Sequence, residues 1–199
     1  MVSMYPCSVE KRKKMPGNSL NTVNMEFVEN EKLSGSQTDA IQRLRSAVYP
    51  PEVLASLPGI RFSWASPQWS VLIWEGKEVI AKAGLLVRDV ISNGVSKRIG
   101  GIGGVMTHPA EQGRGLSSQA MREASSRFND ELDVSFALLF CRPHLVPFYK
   151  RLLWKPFEGK VFVEQPEGSI DFTANGAMVL DVKEQAPLNG TIDLNGLPW

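Results

Sequence analysis

The chain has 199 residues, enough for one domain of ordinary size with a sizeable core. Its 43% hydrophobic and 22% charged residues are typical of a globular protein, and no run of 18 apolar residues offers a membrane span. The formal net charge of +1 gives no overall field that would attract nucleic acid or an anionic membrane. We therefore expect a cytoplasmic protein without nucleic-acid or membrane partners.

The cysteines and histidines favour neither a disulfide nor a metal site. Cys7 and Cys141 are far apart in the sequence, and two thiols cannot build a metal site alone. His108 precedes Pro109 and is expected in a turn, whereas His144 is expected in the first turn of a helix. We predict no metal cofactor.

The N-terminal part of the chain reads as a tail followed by a strand and two helices. Residues 1–21 are expected to be flexible, and residues 22–199 to form a single domain. Residues 22–29 alternate apolar and polar side chains as a half-buried strand does. Residues 36–49 have helical spacing with Ser36 or Thr38 as the cap, and Pro51 begins a short second helix through Leu57.

Antiparallel strands are predicted in the middle of the chain. Hairpin turns are expected at Glu75-Gly76-Lys77 and at Ser92-Asn93-Gly94, where Asn-Gly is the strongest short hairpin signal of the sequence. The strand 95–107 contains four glycines, which indicate a bulge or the close passage of another backbone. The aromatic residues Phe62, Trp64, Trp69 and Trp74 could line a substrate pocket, fill the core or serve a dimer contact.

A glycine-interrupted loop follows this strand and leads into a helix that begins near Leu116. Gly113 and Gly115 flank Arg114, so a ligand could approach the backbone without meeting a Cβ atom. The unpaired N–H groups of the first helical turn and the helix dipole favour an anion there. Ser117 and Ser118 could add hydroxyl donors.

The order Gln112-x-x-Gly115-x-Ser117 resembles the Q/R-x-x-G-x-G/A signature of the GCN5-related N-acetyltransferases (GNAT). In that family the amides of the loop hold the pyrophosphate of acetyl-coenzyme A, and the strand before it splays from its neighbour to bind the pantetheine arm. The resemblance implies an α/β (α+β) fold: a mixed, mostly antiparallel sheet of six or seven strands with helices on both faces. The implied cofactor contacts are Val105, Met106, Thr107, Gln112, Gly113, Arg114, Gly115, Leu116, Ser117 and Ser118.

A second landmark lies further along the chain. Residues 134–140 form an apolar run suited to a buried strand, and a predicted helix at 144–153 carries the pair Phe148-Tyr149. Two later antiparallel strands, at 160–164 and 177–182, and a short tail then complete the domain. In the family the tyrosine at this place is often the general acid, so Tyr149 is the predicted acid. Its alternative is a tyrosine of the core.

The general base is not evident, because residues 99–106 lack the carboxylate that many relatives carry there. Arg142 also stands where the family has Asn. The remaining candidates for the base are Glu111, Asp193 and the terminal carboxylate of Trp199. The tail resembles those of aminoglycoside 2′-N-acetyltransferases and nodulation N-acyltransferases, which implies that Trp199 faces an aminosugar acceptor; a frayed tail is the alternative.

The sequence therefore predicts an acetyltransferase that uses acetyl-coenzyme A as co-substrate and acts by direct attack of a small-molecule amine. An acyltransferase with a longer acyl-thioester donor and a catalytically silent coenzyme A sensor remain the rivals.

Overall fold

The computed structural model describes residues 23–55 and 61–199, which form one ten-stranded sheet and four α-helices. The predicted tail and the predicted end of the second helix lie outside these ranges. The strands are β1 (Val23–Glu29), β2 (Trp69–Glu75), β3 (Glu78–Ser92), β4 (Val95–Thr107), β5 (Phe136–Cys141), β6 (Lys155–Pro156), β7 (Lys160–Gln165), β8 (Gly168–Asp171), β9 (Gly176–Asp181) and β10 (Thr191–Asp193). The helices are α1 (Gly35–Val48), α2 (Pro51–Ala55), α3 (Leu116–Asp130) and α4 (Val146–Lys150).

The long strand β3 organises the sheet, whose main path runs β6-β9-β5-β4-β3-β10-β7-β8. The first half of β3 also pairs with β2, which pairs with β1. The pairs β4–β5 and β10–β7 are parallel and the others antiparallel, which confirms the predicted mixed sheet. There are more strands than predicted because β6, β8 and β10 have only two, four and three residues, too short for a periodic pattern.

Helices cover both faces of the sheet, as predicted. Helix α3 packs with Ala137 and Leu139 of β5 in one core cluster that also contains residues of α4. Helix α1 packs on the other face, where Ala40 and Leu44 meet Met106. Strand β5 is apolar on both faces because it lies between two core layers, which explains its continuous apolar run.

Local sequence signals explain where the elements begin and turn. Ser34 caps α1 in a capping box with Gln37, so the predicted caps Ser36 and Thr38 were wrong. The turn between β3 and β4 has φ angles of +49° at Asn93 and +79° at Gly94, the left-handed pair that a two-residue hairpin requires.

The helix bearing Tyr149 is shorter than the predicted 144–153. A 3₁₀ turn at Pro143–Leu145 precedes α4, and the chain then leaves the helix through short-range bonds from Leu152 N–H to Tyr149 C=O and from Leu153 N–H to Lys150 C=O. The apolar spacing continues past the helix because Trp154 is buried in the same core cluster. Periodicity therefore marked the buried face but not the end of the helix.

The two late strands predicted to be antiparallel are present, and each has an antiparallel neighbour. Strands β7 and β9 do not pair with each other; β9 joins β5, whereas β7 lies between β8 and β10. The tail contributes β10, which pairs with β3, and ends with Trp199 buried. The alternative of a frayed tail was therefore wrong.

Candidate active site

The loop between β4 and α3 presents a helix N-terminus without a side-chain cap. Gly113 and Gly115 have φ angles of +83° and +75°, and no atom lies within 4 Å of a Cβ placed on either. Gly115 is the N-cap residue and has no side chain that could accept a hydrogen bond from the first turn. The first main-chain N–H groups of α3 and its dipole thus form an anion site open to solvent.

The side chains of this loop are partly committed to one another. Arg114 forms ion pairs with Glu111 and, at 3.0 Å, with Glu75. The hydroxyls of Thr107 and Ser117 are 2.5 Å apart, and this bond ties the end of β4 to the first turn of α3. Gln112 is exposed, and Ser118 is half-buried. The backbone is therefore the main group of donors that the loop offers.

Strands β4 and β5 separate beside this loop. Their parallel pairing ends at Ile102 and Leu139, although β4 continues to Thr107 and β5 to Cys141. Residues 103–107 of β4 therefore have no strand partner on their β5 side among the residues that the structure describes. On the β3 side the register shifts between Lys82 and Gly84, so β4 bends at a bulge. The glycines of β4 mark this bulge, as the sequence indicated.

A cleft of about 370 Å³ opens at the separation. It is lined by residues of both strands and of four other segments: Arg45, Tyr49, Leu54, Trp64, Ile102, Gly103, Gly104, Val105, Phe140, Cys141, Arg142, Leu145, Tyr149 and Asn175. Of the three β4 residues predicted to contact the cofactor, Val105 lines the cleft. Met106 points to the opposite side of the strand, and Thr107 holds Ser117.

Tyr149 and Cys141 form part of the cleft wall and are both protonated at neutral pH. Burial raises the pKa of Tyr149 above its ordinary value, and Cys141 and Tyr49 add to the effect. Within the described ranges the Tyr149 hydroxyl has no hydrogen-bond partner. Burial raises the pKa of Cys141 to about 11, and its Sγ atom lies 3.6 Å from the sulfur of Met178. Cys141 is a thiol and not a reactive thiolate.

A second pocket of about 420 Å³ adjoins the cleft on the α1 side, and we call it the side pocket. Arg45, Tyr49, Trp64, Gly103 and Gly104 line both cavities. The other residues of the side pocket are Asn30, Leu33, Ile41, Gln42, Ala65, Pro67, Lys82, Gly84, Leu86, Met106 and Trp199. Gly103 and Gly104, at the bend of β4, thus form a wall common to both cavities.

Trp199 is fixed against the glycines of β4. Its indole N–H donates to the C=O of Leu138 at 3.1 Å, and a Cβ on Gly101 would lie 2.3 Å from the ring. The main-chain carbonyl carbon of Trp199 lies 2.8 Å from the place of a Cβ on Gly103. The guanidinium of Arg88 stacks over the ring at 5.3 Å. Trp199, the residue predicted to face the acceptor, can therefore pack here only because Gly101 and Gly103 have no Cβ atom.

The other candidates for the general base do not reach the cavities. Glu111 pairs with Arg114, and Asp193 accepts a bond from the N–H of Asn195; neither lines the cleft or the side pocket. Trp64 lines both cavities as anticipated, whereas Phe62 packs against Phe172.

Sequence reasoning missed Lys82. This residue is the one charged side chain in the apolar run 79–87 of β3, a pattern that could have revealed it. It is 5% exposed, and burial, with the charge of Arg45, lowers its pKa to about 8. The side pocket therefore contains a buried amine that is still mostly charged at neutral pH.

The parts of the chain that the structure describes show no sign of a metal site or of a membrane-spanning helix. These residues contain no cluster of three or more His, Cys, Asp and Glu side chains able to hold a metal ion. No helix among them is long and apolar enough to cross a membrane.

His108 lies in a turn, as predicted, and its Nδ1 atom accepts a hydrogen bond from the N–H of Ala110 at 3.3 Å.

Comparison with known proteins identifies the domain. Residues 31–157 match the family model for the acetyltransferase (GNAT) domain. No curated protein matches the chain by sequence. Among solved structures, ElaA from Escherichia coli is 21% identical with a TM-score of 0.56, covering 80% of this chain and 100% of its own.

Two further solved structures carry a coenzyme. A GNAT family acetyltransferase from Brucella melitensis in complex with acetyl-coenzyme A is 16% identical with a TM-score of 0.53, over 85% of this chain and 94% of that one. The N-acetyltransferase YhbS from Escherichia coli in complex with coenzyme A is 12% identical with a TM-score of 0.58, over 91% and 94%. These similarities concern the fold, which agrees with the sheet and helices described above.

Proposed function

The chain belongs to the GNAT family of acetyltransferases, and we propose that it transfers the acetyl group of acetyl-coenzyme A to a primary amine of a small molecule. The observation that carries this proposal is the separation of β4 from β5 beside the uncapped N-terminus of α3. The complexes of two structural relatives with acetyl-coenzyme A and coenzyme A support the choice of co-substrate.

The loop residues would bind the pyrophosphate of the co-substrate. Gly113 and Gly115 leave room for it, and the N–H groups of the first turn of α3 would donate to its oxygens. Ser118 would add a hydroxyl, whereas Arg114 would act mainly by closing the loop against Glu111 and Glu75. The free edge of β4 at residues 103–107 would bond the pantetheine arm.

The chemistry is acyl transfer by direct attack. The amine nitrogen bonds to the thioester carbonyl carbon, the C–S bond breaks, and Tyr149 donates its proton to the departing sulfur. An N–H of β4, at Val105 or Thr107, would polarise the carbonyl oxygen. Cys141 supports direct attack over an acyl-enzyme because its raised pKa keeps it a buried thiol. The amine proton would leave to water or to the main-chain end at Trp199.

The acceptor would bind where the cleft and the side pocket meet. Trp64, Arg45 and Tyr49 line both the cleft and the side pocket, so an acceptor bound there would adjoin the thioester site. The proposal of an aminosugar acceptor rests on the resemblance of the tail to two groups of aminosugar-modifying enzymes. Trp199 lies beside Gly103, so the tail reaches the wall common to the cleft and the side pocket.

Calorimetric titration of the full chain with acetyl-coenzyme A tests the proposal, with Gly115→Asp as the perturbed variant. A carboxylate at Gly115 would repel the pyrophosphate, so we expect micromolar binding to fall at least tenfold. Gly94→Asp is the matched control, because Gly94 has a φ angle of +79° and no atom within 4 Å, as at Gly115, but lies in the hairpin at the opposite end of β4. Equal affinities of the two variants would refute the phosphate loop.

Turnover separates the rival functions. Thiol release from acetyl-coenzyme A, measured against a panel of amines, should rise above hydrolysis for at least one acceptor. Binding without release for any amine would favour the sensor, and faster release from a longer acyl-coenzyme A would favour the acyltransferase.

A further inference from the structure

The charges around the two cavities are unbalanced. Arg45 lines both, Arg142 lines the cleft, and Lys82 lines the side pocket. No Asp or Glu side chain lines either cavity in the described ranges 23–55 and 61–199. The side chains that line the two cavities are therefore cationic, although the whole chain is almost neutral, and Trp199 in the side pocket forms no ion pair with Lys82 or Arg45.

Lys82 lies at the bend of β4. It pairs in register with Met106, next to the bulge, and its Nζ atom lies 3.1 Å from the place of a Cβ on Gly84. The same atom lies 3.9 Å from the place of a Cβ on Gly104, which belongs to the wall common to the cleft and the side pocket. The amine thus adjoins the position from which an acceptor would attack.

Within the described part of the chain, neither Lys82 nor Arg45 has a counter-ion. Their side chains form no hydrogen bond or ion pair with any residue that the structure describes, and Lys82 is 5% exposed. A buried charge is costly unless it is paired, and the second cation increases the cost. Arg45 itself is exposed, so the cost of burial falls on Lys82. An anion in the side pocket, which both side chains line, would offset the buried charge of Lys82 and its repulsion by Arg45.

We propose that the acceptor amine carries an anionic group, a carboxylate or a phosphate, and that Lys82 and Arg45 bind this group in the side pocket. This inference rests on the proposed acetyltransferase function and narrows its substrate class. The anionic end would be held on the α1 side while the amine faces the cleft across Gly103 and Gly104. Polycationic aminoglycosides would meet two like charges and bind poorly.

Matched acceptor pairs test the inference on the full chain. L-Amino acids are compared with their carboxamides, and glucosamine 6-phosphate with glucosamine, by thiol release from acetyl-coenzyme A. We expect kcat/KM to favour the anionic member of at least one pair tenfold or more, and the pair concerned tells carboxylate from phosphate. Lys82→Met and Arg45→Gln should each raise KM for that anionic acceptor about tenfold and leave the affinity for acetyl-coenzyme A unchanged.

The control is Lys77→Met, which removes an exposed lysine from the hairpin before β3 and should leave KM unchanged. Equal use of charged and neutral members by the native protein would overturn the inference. A fall in kcat for both members of a pair in Lys82→Met, at constant KM, would also overturn it, because Lys82 would then act on proton transfer.

A binding measurement distinguishes failure of this inference from failure of the proposed function. Inorganic phosphate should raise the Tm of the native protein above that in chloride of equal ionic strength, and part of the rise should be lost in Lys82→Met but not in Lys77→Met. Phosphate stabilisation that Lys82→Met reduces, without any turnover, would retain the anion site and reject the acetyltransferase. Turnover without a preference for anionic acceptors, together with the same phosphate-induced rise in Tm in Lys82→Met and in the native protein, would reject the anion site alone.

Discussion

Replacing Lys82 by Met should make the protein more stable, because the buried amine opposes folding at neutral pH. Met keeps a chain of similar length among the same neighbours but carries no charge. Burial lowers the pKa of Lys82 from its ordinary 10.5 to about 8, and each unit corresponds to about 1.36 kcal/mol. The charge on Lys82 therefore costs about 3 kcal/mol of stability at pH 7.

The pH dependence follows from the sign of the shift. Between pH 8 and 10.5 the unfolded chain binds more protons at Lys82 than the folded one does, so the native protein gains stability as pH rises through this window. The advantage of Lys82→Met should be complete below about pH 8 and should shrink towards pH 10.5. A lysine whose charge destabilises the folded chain agrees with a role in binding.

Urea unfolding at pH 7 and pH 10 measures this difference, with Lys77→Met as the control. The control should change the free energy of unfolding by less than about 0.5 kcal/mol at either pH, because Lys77 is exposed. Equal stability of Lys82→Met and the native protein at pH 7 would refute the reasoning, as would a gain of the same size at both pH values. Either result would mean that the amine has a counter-ion or reaches water.

Further predictions concern the cleft and the tail. Tyr149→Phe should lower kcat at least about tenfold at unchanged affinity for acetyl-coenzyme A, measured by steady-state kinetics and calorimetry; an unchanged kcat would exclude Tyr149 as the acid. Gly101→Ala should destabilise the protein by about 1–3 kcal/mol in urea unfolding, because the new Cβ would overlap the Trp199 ring. Gly35→Ala is its control, since no atom lies within 4 Å of a Cβ there, and an equal effect at both positions would contradict the steric explanation.

The sequence revealed the cofactor half of the domain well because its signals are local. Asn93-Gly94 specifies a hairpin through its own backbone preferences, and the spacing Gln112-x-x-Gly115-x-Ser117 predicts a loop whose proposed function depends on main-chain N–H groups. The glycines of β4 likewise indicated a close approach, which proved to be that of Trp199. The hairpin, the loop and the glycines of β4 each involve few residues close together in the chain, so the sequence alone can reveal them.

The acceptor side required the tertiary structure. Lys82 comes from β3 and Arg45 from α1, and their proximity depends on how α1 lies across β3 and β4. Strand β10 is too short to show a periodic pattern in the sequence. It is a strand because it pairs with β3 and β7.

By itself the sequence determined the family, the sheet that carries it and the loop where the co-substrate is proposed to bind. The tertiary structure alone decided that the tail pairs within the sheet, that β4 and β5 part at Ile102, and that a lysine without a partner among the described residues is buried beside the cleft. The physical reason is that burial and charge balance arise between segments distant in the chain. A lysine in an apolar strand acquires its lowered pKa only when the surrounding elements exclude water from it.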